Sequence, residues 1–117
     1  MEKGNNATGV LKIVIKTQFT AIHQWSDCPH KEVSFLRNPH RHIFHVTMKW
    51  KVTHNDRDKE FIVMKNRVNT FIRNNWDRNF LGNMSCEMMA ETLSATFNAD
   101  FVSVFEDNEN GAEYVKI

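Results

Sequence analysis

The chain has 117 residues, of which 41% are hydrophobic, and its charged side chains leave a formal net charge of +1. This length suits one domain around one core, and the near-neutral balance gives no basis for binding duplex nucleic acid or a membrane surface. No run of about 18 apolar residues is present and the start is too polar for a secretory signal, so we expect a cytoplasmic protein.

The first third of the chain predicts an arm, a strand and a loop. Residues 1–9 are rich in Asn, Gly and Lys with nothing to bury, so we expect a flexible arm, and residues 10–117 then form a single domain. Val10 to Ala21 partly alternates and is rich in β-branched residues, which predicts a half-covered strand that ends at His23. Residues 24–39 contain both prolines and predict a long loop or small excursion.

The clearest strand pattern runs from His40 to Thr53, with histidine or apolar residues at even positions and mostly polar residues at odd ones. Successive strand side chains point to opposite faces, so His40 and His42 should point into the domain. With His23 on a neighbouring antiparallel strand, they would form a three-nitrogen set suited to zinc with an open fourth position. Buried neutral histidines with hydrogen-bond partners are the alternative.

The second half of the chain predicts two helices followed by two strands. After a charged turn at 54–59, apolar residues at helical spacing predict a helix of about four turns from residue 61, with Phe61 on its apolar face. Asn83 or Ser85 can cap a second helix. Residues 101–106 alternate as a strand, and Asn110-Gly111 predicts a tight hairpin turn into residues 112–117. The expected fold class is α+β, an antiparallel sheet with both helices on one face.

Six short segments follow one another in the order and spacing of motifs in a known family. They are FTAIH at 19–23, HRHIFHV at 40–46, Glu60-Phe61 with Lys65, Asp77, NMSCE at 83–87 and VSVFED at 102–107. Through these segments the chain resembles the 6-pyruvoyl- and 6-carboxytetrahydropterin synthases, the tunnelling-fold group, over nearly all of residues 11–115.

The resemblance implies a ligand site as well as a fold. In the family a glutamate of the late strand pairs with ring N–H groups, and Glu106 holds that position; Ser85, in the segment that begins at Asn83, would help to hold the ring. A carboxylate suits this role because it accepts two hydrogen bonds in one plane. An exposed carboxylate at a strand end is the alternative for Glu106. The resemblance also implies a homo-oligomer (dimer, trimer or hexamer) with sites between subunits.

The departures from the family predict that its chemistry has been lost. No thiol occurs at 35–39, where the family has its catalytic cysteine, and Arg78 stands in place of a catalytic histidine. An arginine that stays protonated cannot shuttle protons, so we expect no catalytic residue here. Four arginines around the expected site are predicted instead to bind an anion such as phosphate. The alternative is that they are solvated surface residues: Arg37, Arg41, Arg57 and Arg78.

Within this group, segments such as FLRNPHRHIFHV and EDNENGAE are similar to phage proteins that defeat bacterial Thoeris immunity, a TIR-based defence, by trapping cyclic ADP-ribose. This likeness predicts a non-catalytic protein that sequesters a purine nucleotide in the host cytoplasm, with Phe105, Trp25 or Phe80 available for ring stacking. One alternative is an active zinc-dependent pterin synthase acting on dihydroneopterin triphosphate. It would recruit other acid/base groups, for example Cys28, His45 or Asp77. Another alternative is an interaction module without a ligand.

Overall fold

A computed structural model describes residues 9–117, so most of the predicted arm, residues 1–8, lies outside the described part of the chain. The helices and strands in chain order are β1 (Lys12–His23), β2 (His40–Lys51), α1 (Phe61–Asn75), α2 (Cys86–Phe97), β3 (Phe101–Glu106) and β4 (Asn110–Val115). A short 3₁₀ segment, Lys31–Arg37, lies in the loop between β1 and β2. The predicted element order is confirmed.

The four strands form one antiparallel sheet in the order β1-β2-β3-β4, with both helices on one face. The register pairs Phe19 with Phe44 and Val46 with Val104, and these side chains are buried beneath the helices. Burying such side chains contributes roughly 1.5–3 kcal/mol each, which makes the register of β1 and β2 specific. The α+β fold class predicted by the alternation is therefore correct.

Each helix begins at a side-chain cap. The Glu60 carboxylate accepts hydrogen bonds from the first backbone N–H groups of α1, and the Ser85 hydroxyl accepts one from the N–H of Met88 in α2. Helix α1 contacts the sheet through Val68 and Ile72. Phe61, which we predicted on the apolar face, is 52% exposed, because the contact of α1 with the core begins at Met64.

The loop that leads into α2 is tied to the free edge of β1. Leu81 N donates to Ile22 O at 2.7 Å, and Gln24 N donates to Gly82 O at 2.9 Å. This pairing fixes the segment 83–85 beside the end of β1, and so beside His23. No helix in residues 9–117 combines the length and the apolar character needed to cross a membrane.

The predicted hairpin turn at Asn110-Gly111 is wrong. The turn lies at Asp107 and Asn108, whose φ angles of 53° and 59° give the two consecutive left-handed residues typical of a type I′ turn. Asn110 and Gly111 already belong to β4. Gly111 is required for another reason, because a Cβ there would lie 2.0 Å from the backbone oxygen of Val104.

Candidate functional site

Three histidines meet at one end of the sheet. His23 ends β1 and pairs in register with His40, the first residue of β2, while His42 pairs with Ala21. One possible ligand nitrogen from each of the three rings lies within 4.8 Å of the other two. The strand register therefore brings together the three side chains that the sequence predicts as a metal set.

The Nδ1 atom of each histidine already has a hydrogen-bond partner. Each Nδ1 lies 2.7–2.9 Å from an oxygen acceptor, and these acceptors are Met84 O for His23, Asn38 O for His40 and Asp107 Oδ2 for His42. Such partners fix the tautomer with the proton on Nδ1, which leaves Nε2 with the lone pair that a metal requires.

Two of these Nε2 atoms are buried without a hydrogen-bond partner among residues 9–117, those of His23 and His42. The Nε2 of His23 lies 3.0 Å from Glu106 Oε2, and that of His42 lies 3.5 Å from Glu106 Oε1. Neither contact meets the geometry of a hydrogen bond, and each is a charge contact only when the imidazole is protonated. Buried polar atoms are normally satisfied, and a cation among three imidazole nitrogens would satisfy both. The donor set fits zinc.

The Glu106 carboxylate controls the electrostatics of the cluster. Burial works to lower the pKa of His23, but the Glu106 carboxylate and the Met84 carbonyl outweigh it, so that this pKa is raised above 6.5. The contact with His23 is in turn the largest cause that lowers the pKa of Glu106 below 4.5. The Cys86 thiol lies 3.8 Å from Glu106 Oε2. Burial first, and then the Glu106 charge, raise the pKa of Cys86 to about 12.

An open cavity of about 490 Å³ lies beside the histidines. Its polar lining includes three residues that the sequence predicts as ring ligands, Glu106, Ser85 and Asn83. Its apolar lining includes Trp25, Leu36, Met84 and Met88. The cavity thus combines apolar walls with a few convergent polar groups, as small-molecule sites do.

Two of these polar groups are held in place by the loop and the helix. Asn83 Oδ1 accepts from Ser26 N at 2.8 Å and from Ser26 Oγ at 3.1 Å. Ser85 Oγ accepts from Met88 N at 3.1 Å, which leaves its hydroxyl proton for another acceptor. Both side chains are therefore fixed at the cavity before any ligand arrives.

The four arginines predicted as anion ligands do not line this cavity. Arg37 Nε donates to Cys28 O at 2.8 Å and so braces its own loop. Arg41 is exposed on the opposite face of β2 from the histidines. Arg57 pairs with Asp56 in the turn beyond the far end of β2, roughly 35 Å along the strand direction from His40. Arg78, at the start of the loop beside β1, is 89% exposed.

Apart from Trp25, the other predicted groups also lie away from the cavity. Phe105 lies on the other face of the sheet from Glu106, and it pairs with His45 of β2. Cys28 is buried with its Sγ near the carbonyls of its own loop. Asp77 accepts a hydrogen bond from Thr20 N at 3.1 Å, which holds the end of α1 against β1. Of the aromatic residues suggested for stacking, Trp25 lines the cavity.

Sequence reasoning missed two residues of the site. Cys86 lines the cavity next to Glu106, and Asp107 contacts His42 across the sheet. Asp107 reaches His42 through the β2–β3 register, which pairs Phe44 with Glu106, whereas Cys86 reaches Glu106 because α2 packs against β3. Both contacts join segments that are distant in the chain, and local spacing carries no signal for them.

Comparison with known proteins finds a match among solved structures but not among family models or curated proteins. The sequence matches no protein-family model, and no curated protein matches it significantly. Among solved structures, the chain is similar to 6-pyruvoyl tetrahydropterin synthase of Caenorhabditis elegans, with a TM-score of 0.75, 12% identity and full coverage of both chains. At this identity the likeness shows the fold alone, and it confirms the tunnelling-fold architecture that the motifs imply.

Proposed function

We propose that this protein binds a small molecule with a planar, nitrogen-rich ring in the cavity beside the three histidines, without converting it. The observation that carries the proposal is the position of Glu106, a side chain 29% exposed that lines a cavity of about 490 Å³. Ligand cavities usually measure about 300–1,000 Å³. A carboxylate at the wall of such a cavity offers two coplanar acceptors to the N–H groups of a heterocycle edge.

The surrounding residues suit the same ligand. Trp25 and Met88 are 42% and 53% exposed, and both line the cavity, where they offer apolar contact to the faces of a ring. The Ser85 hydroxyl retains a proton to donate to a ring nitrogen or carbonyl. A flat ring with N–H groups on one edge and an acceptor nearby uses all of these groups together.

Binding without conversion is favoured by the state of the thiol at the cavity. A proton-transfer group works best when its pKa is close to the operating pH, and Cys86 has a pKa of about 12. The residues that an enzyme of this type would have to recruit, Cys28, His45 and Asp77, lie outside the cavity lining. Tight ground-state binding suits a protein that sequesters its ligand, since such binding does nothing for a rate.

The narrower form of the proposal is a purine nucleotide signal of the cyclic ADP-ribose type, withheld from bacterial TIR/Thoeris immunity. A diphosphate needs cationic partners, and the four candidate arginines lie outside the cavity of a single chain. The narrower form therefore includes a homo-oligomer in which arginines of a second subunit reach the ligand. Native mass spectrometry, which reports the subunit number together with any retained ligand or metal, tests this part.

The ring proposal is tested by calorimetry with free pterins, purine nucleosides and cyclic ADP-ribose isomers. We expect one of these to bind with a Kd below about 1 μM. We expect Glu106→Gln to weaken that binding about 10- to 150-fold, the equivalent of a charged hydrogen bond of roughly 1.5–3 kcal/mol. Glu109→Gln, which changes an exposed residue of the adjacent turn, is the matched control. Absence of binding by every ring, or equal affinity in wild type and Glu106→Gln, would contradict the proposal.

A second candidate function is a zinc-dependent lyase that acts on dihydroneopterin triphosphate. The observation that favours it is the pair of unsatisfied Nε2 atoms, because a three-histidine metal with an open position suits catalysis. Turnover of this substrate by purified protein, lost on chelation and restored by zinc, would establish the lyase and exclude a purely sequestering role. We expect no turnover.

A further inference from the structure

The turn between β3 and β4 is clamped to the neighbouring strand β2 at Asp107. The residue adopts a φ of 53°, and its backbone N–H donates to Ile43 O at 2.7 Å. This left-handed conformation is tolerated by Asp better than by most residues, because its short side chain can form local hydrogen bonds. The position of the Asp107 side chain is therefore set by the backbone of two elements.

Both carboxylate oxygens of Asp107 are used. Oδ2 accepts a hydrogen bond from His42 Nδ1 at 2.7 Å, and Oδ1 accepts one from Ile43 N at 3.1 Å. The second bond prevents the carboxylate from rotating away from the imidazole. The contact with His42 is therefore geometrically constrained, even though the Asp107 side chain is 47% exposed.

His42 differs from the other two histidines in the chemistry of this contact. The Nδ1 partners of His23 and His40 are backbone carbonyl oxygens, whereas that of His42 is a carboxylate. A charged acceptor forms a stronger hydrogen bond than a neutral one, and it makes the opposite ring nitrogen a better electron donor. The contribution of His42 to a metal site thus depends on a residue in a different hairpin.

We infer that Asp107 is a positioning residue, which holds the His42 ring with Nε2 directed into the three-histidine cluster and thereby sets the affinity of that cluster for a divalent metal such as zinc. Asp107 does not line the ligand cavity. Its role concerns the metal and is independent of which ring the cavity binds.

Two substitutions separate the parts of this role. Asp107→Gly removes the carboxylate and keeps the left-handed backbone accessible. Asp107→Asn keeps an acceptor oxygen for Nδ1 and tolerates the same backbone, but it removes the charge. Asn108→Gly is the matched control, because this exposed neighbour has a φ of 59° and belongs to the same turn.

The primary measurement is zinc affinity, obtained by competition with a chromophoric chelator. Loss of a partner of this kind costs about 10- to 100-fold in metal affinity, and we expect that loss for Asp107→Gly. Asp107→Asn should fall between Asp107→Gly and wild type, and Asn108→Gly should match wild type. ¹⁵N NMR of the metal-free protein supplies a second readout, in which His42 carries its proton on Nδ1 in wild type and becomes a mixture of tautomers in Asp107→Gly.

Three results would overturn the inference: wild-type protein that binds neither zinc nor cobalt, zinc affinity unchanged in Asp107→Gly, or an equal loss in Asp107→Gly and Asn108→Gly. Thermal melts of the metal-free variants show whether each one is folded. If Asp107→Gly does not fold, the tautomer and zinc affinity of Asp107→Asn decide the question. Ring binding is measured separately by calorimetry, so a failure of the ligand proposal can be told apart from a failure of the inference about Asp107.

Discussion

In metal-free protein that carries Cys28→Ser, the remaining thiol, Cys86, should be alkylated far more slowly than the same thiol in the unfolded chain. Burial first, and then the Glu106 charge 3.8 Å away, raise the pKa of Cys86 from 9.0 to about 12. The thiolate is the reactive form, so this rise in the pKa of Cys86 lowers the thiolate population at pH 8 roughly 1,000-fold.

The assay is the rate of modification by iodoacetamide, followed by intact mass between about pH 7 and pH 10. Limited access of the reagent would also slow the reaction, so the shape of the pH profile is the decisive observation. With the pKa of Cys86 near 12, the logarithm of the rate should rise by about one per pH unit without levelling. Circular dichroism at each pH confirms that the protein is still folded.

Two charge-neutralising substitutions refine this test. Glu106→Gln should lower the pKa of Cys86 more than Glu87→Gln does, because the Glu106 charge is the larger of the two electrostatic causes. A folded Cys28→Ser protein whose rate levels off near pH 9 would refute the reasoning. A thiol with such a pKa could share in proton transfer, and that result would favour the lyase over the sequestering role.

Three further predictions concern pH, capping and close packing. Because the pKa of His23 is raised and the pKa of Glu106 is lowered, the ion pair between them stabilises the metal-free protein at pH values between the two pKa values. This stabilisation is lost as the pH rises through the pKa of His23. Zinc requires neutral imidazoles, so calorimetry between about pH 6 and pH 8.5 should show a falling Tm without zinc and a growing increase in Tm on adding zinc; parallel trends would contradict this. Ser85→Ala should lower the free energy of unfolding in urea by about 1 kcal/mol through loss of the α2 cap, and Ser85→Thr should retain most of it. Gly111→Ala should cost about 3 kcal/mol or more, since its Cβ would overlap a backbone oxygen of β3. Gly82→Ala, at a φ of 63° with open space around it, should cost only about 1–2 kcal/mol, and equal costs at the two glycines would contradict the packing argument.

The sequence predicts the elements of this fold because period and composition are local properties. Alternation in β2 correctly turns His40 and His42 toward the helices, and the same alternation turns Arg41 outward. Closeness in sequence to the histidines predicts Arg41 at the site, but its side of the strand faces away from the histidines of the same chain. Arg57 likewise lies away from the cavity of its own chain, since closeness in sequence to Glu60 does not fix the end of the sheet at which a turn lies.

The parts that the sequence could not predict depend on contacts between distant segments. An Asn-Gly pair is a strong hairpin signal, yet the chain turns at Asp107 and Asn108, which accept left-handed conformations less readily than glycine. The backbone contact between Asp107 and Ile43 supports the observed turn. Gly111 is needed because two backbones approach closely there, a demand that only the pairing of β3 and β4 creates.

The Glu106 carboxylate connects the metal cluster with the ligand cavity, and this sets the sign of their interaction. Without a metal, the carboxylate lies against His23, whose raised pKa favours a positive ring beside it. A metal on Nε2 would keep His23 neutral, but it would place a divalent charge beside the same carboxylate, and this charge attracts the carboxylate more strongly than a singly charged imidazolium does. Metal and ring should therefore compete for Glu106, and by linkage the factor must be the same in both directions. The ring should then bind more tightly after chelation, and weaker binding after chelation would contradict this reasoning.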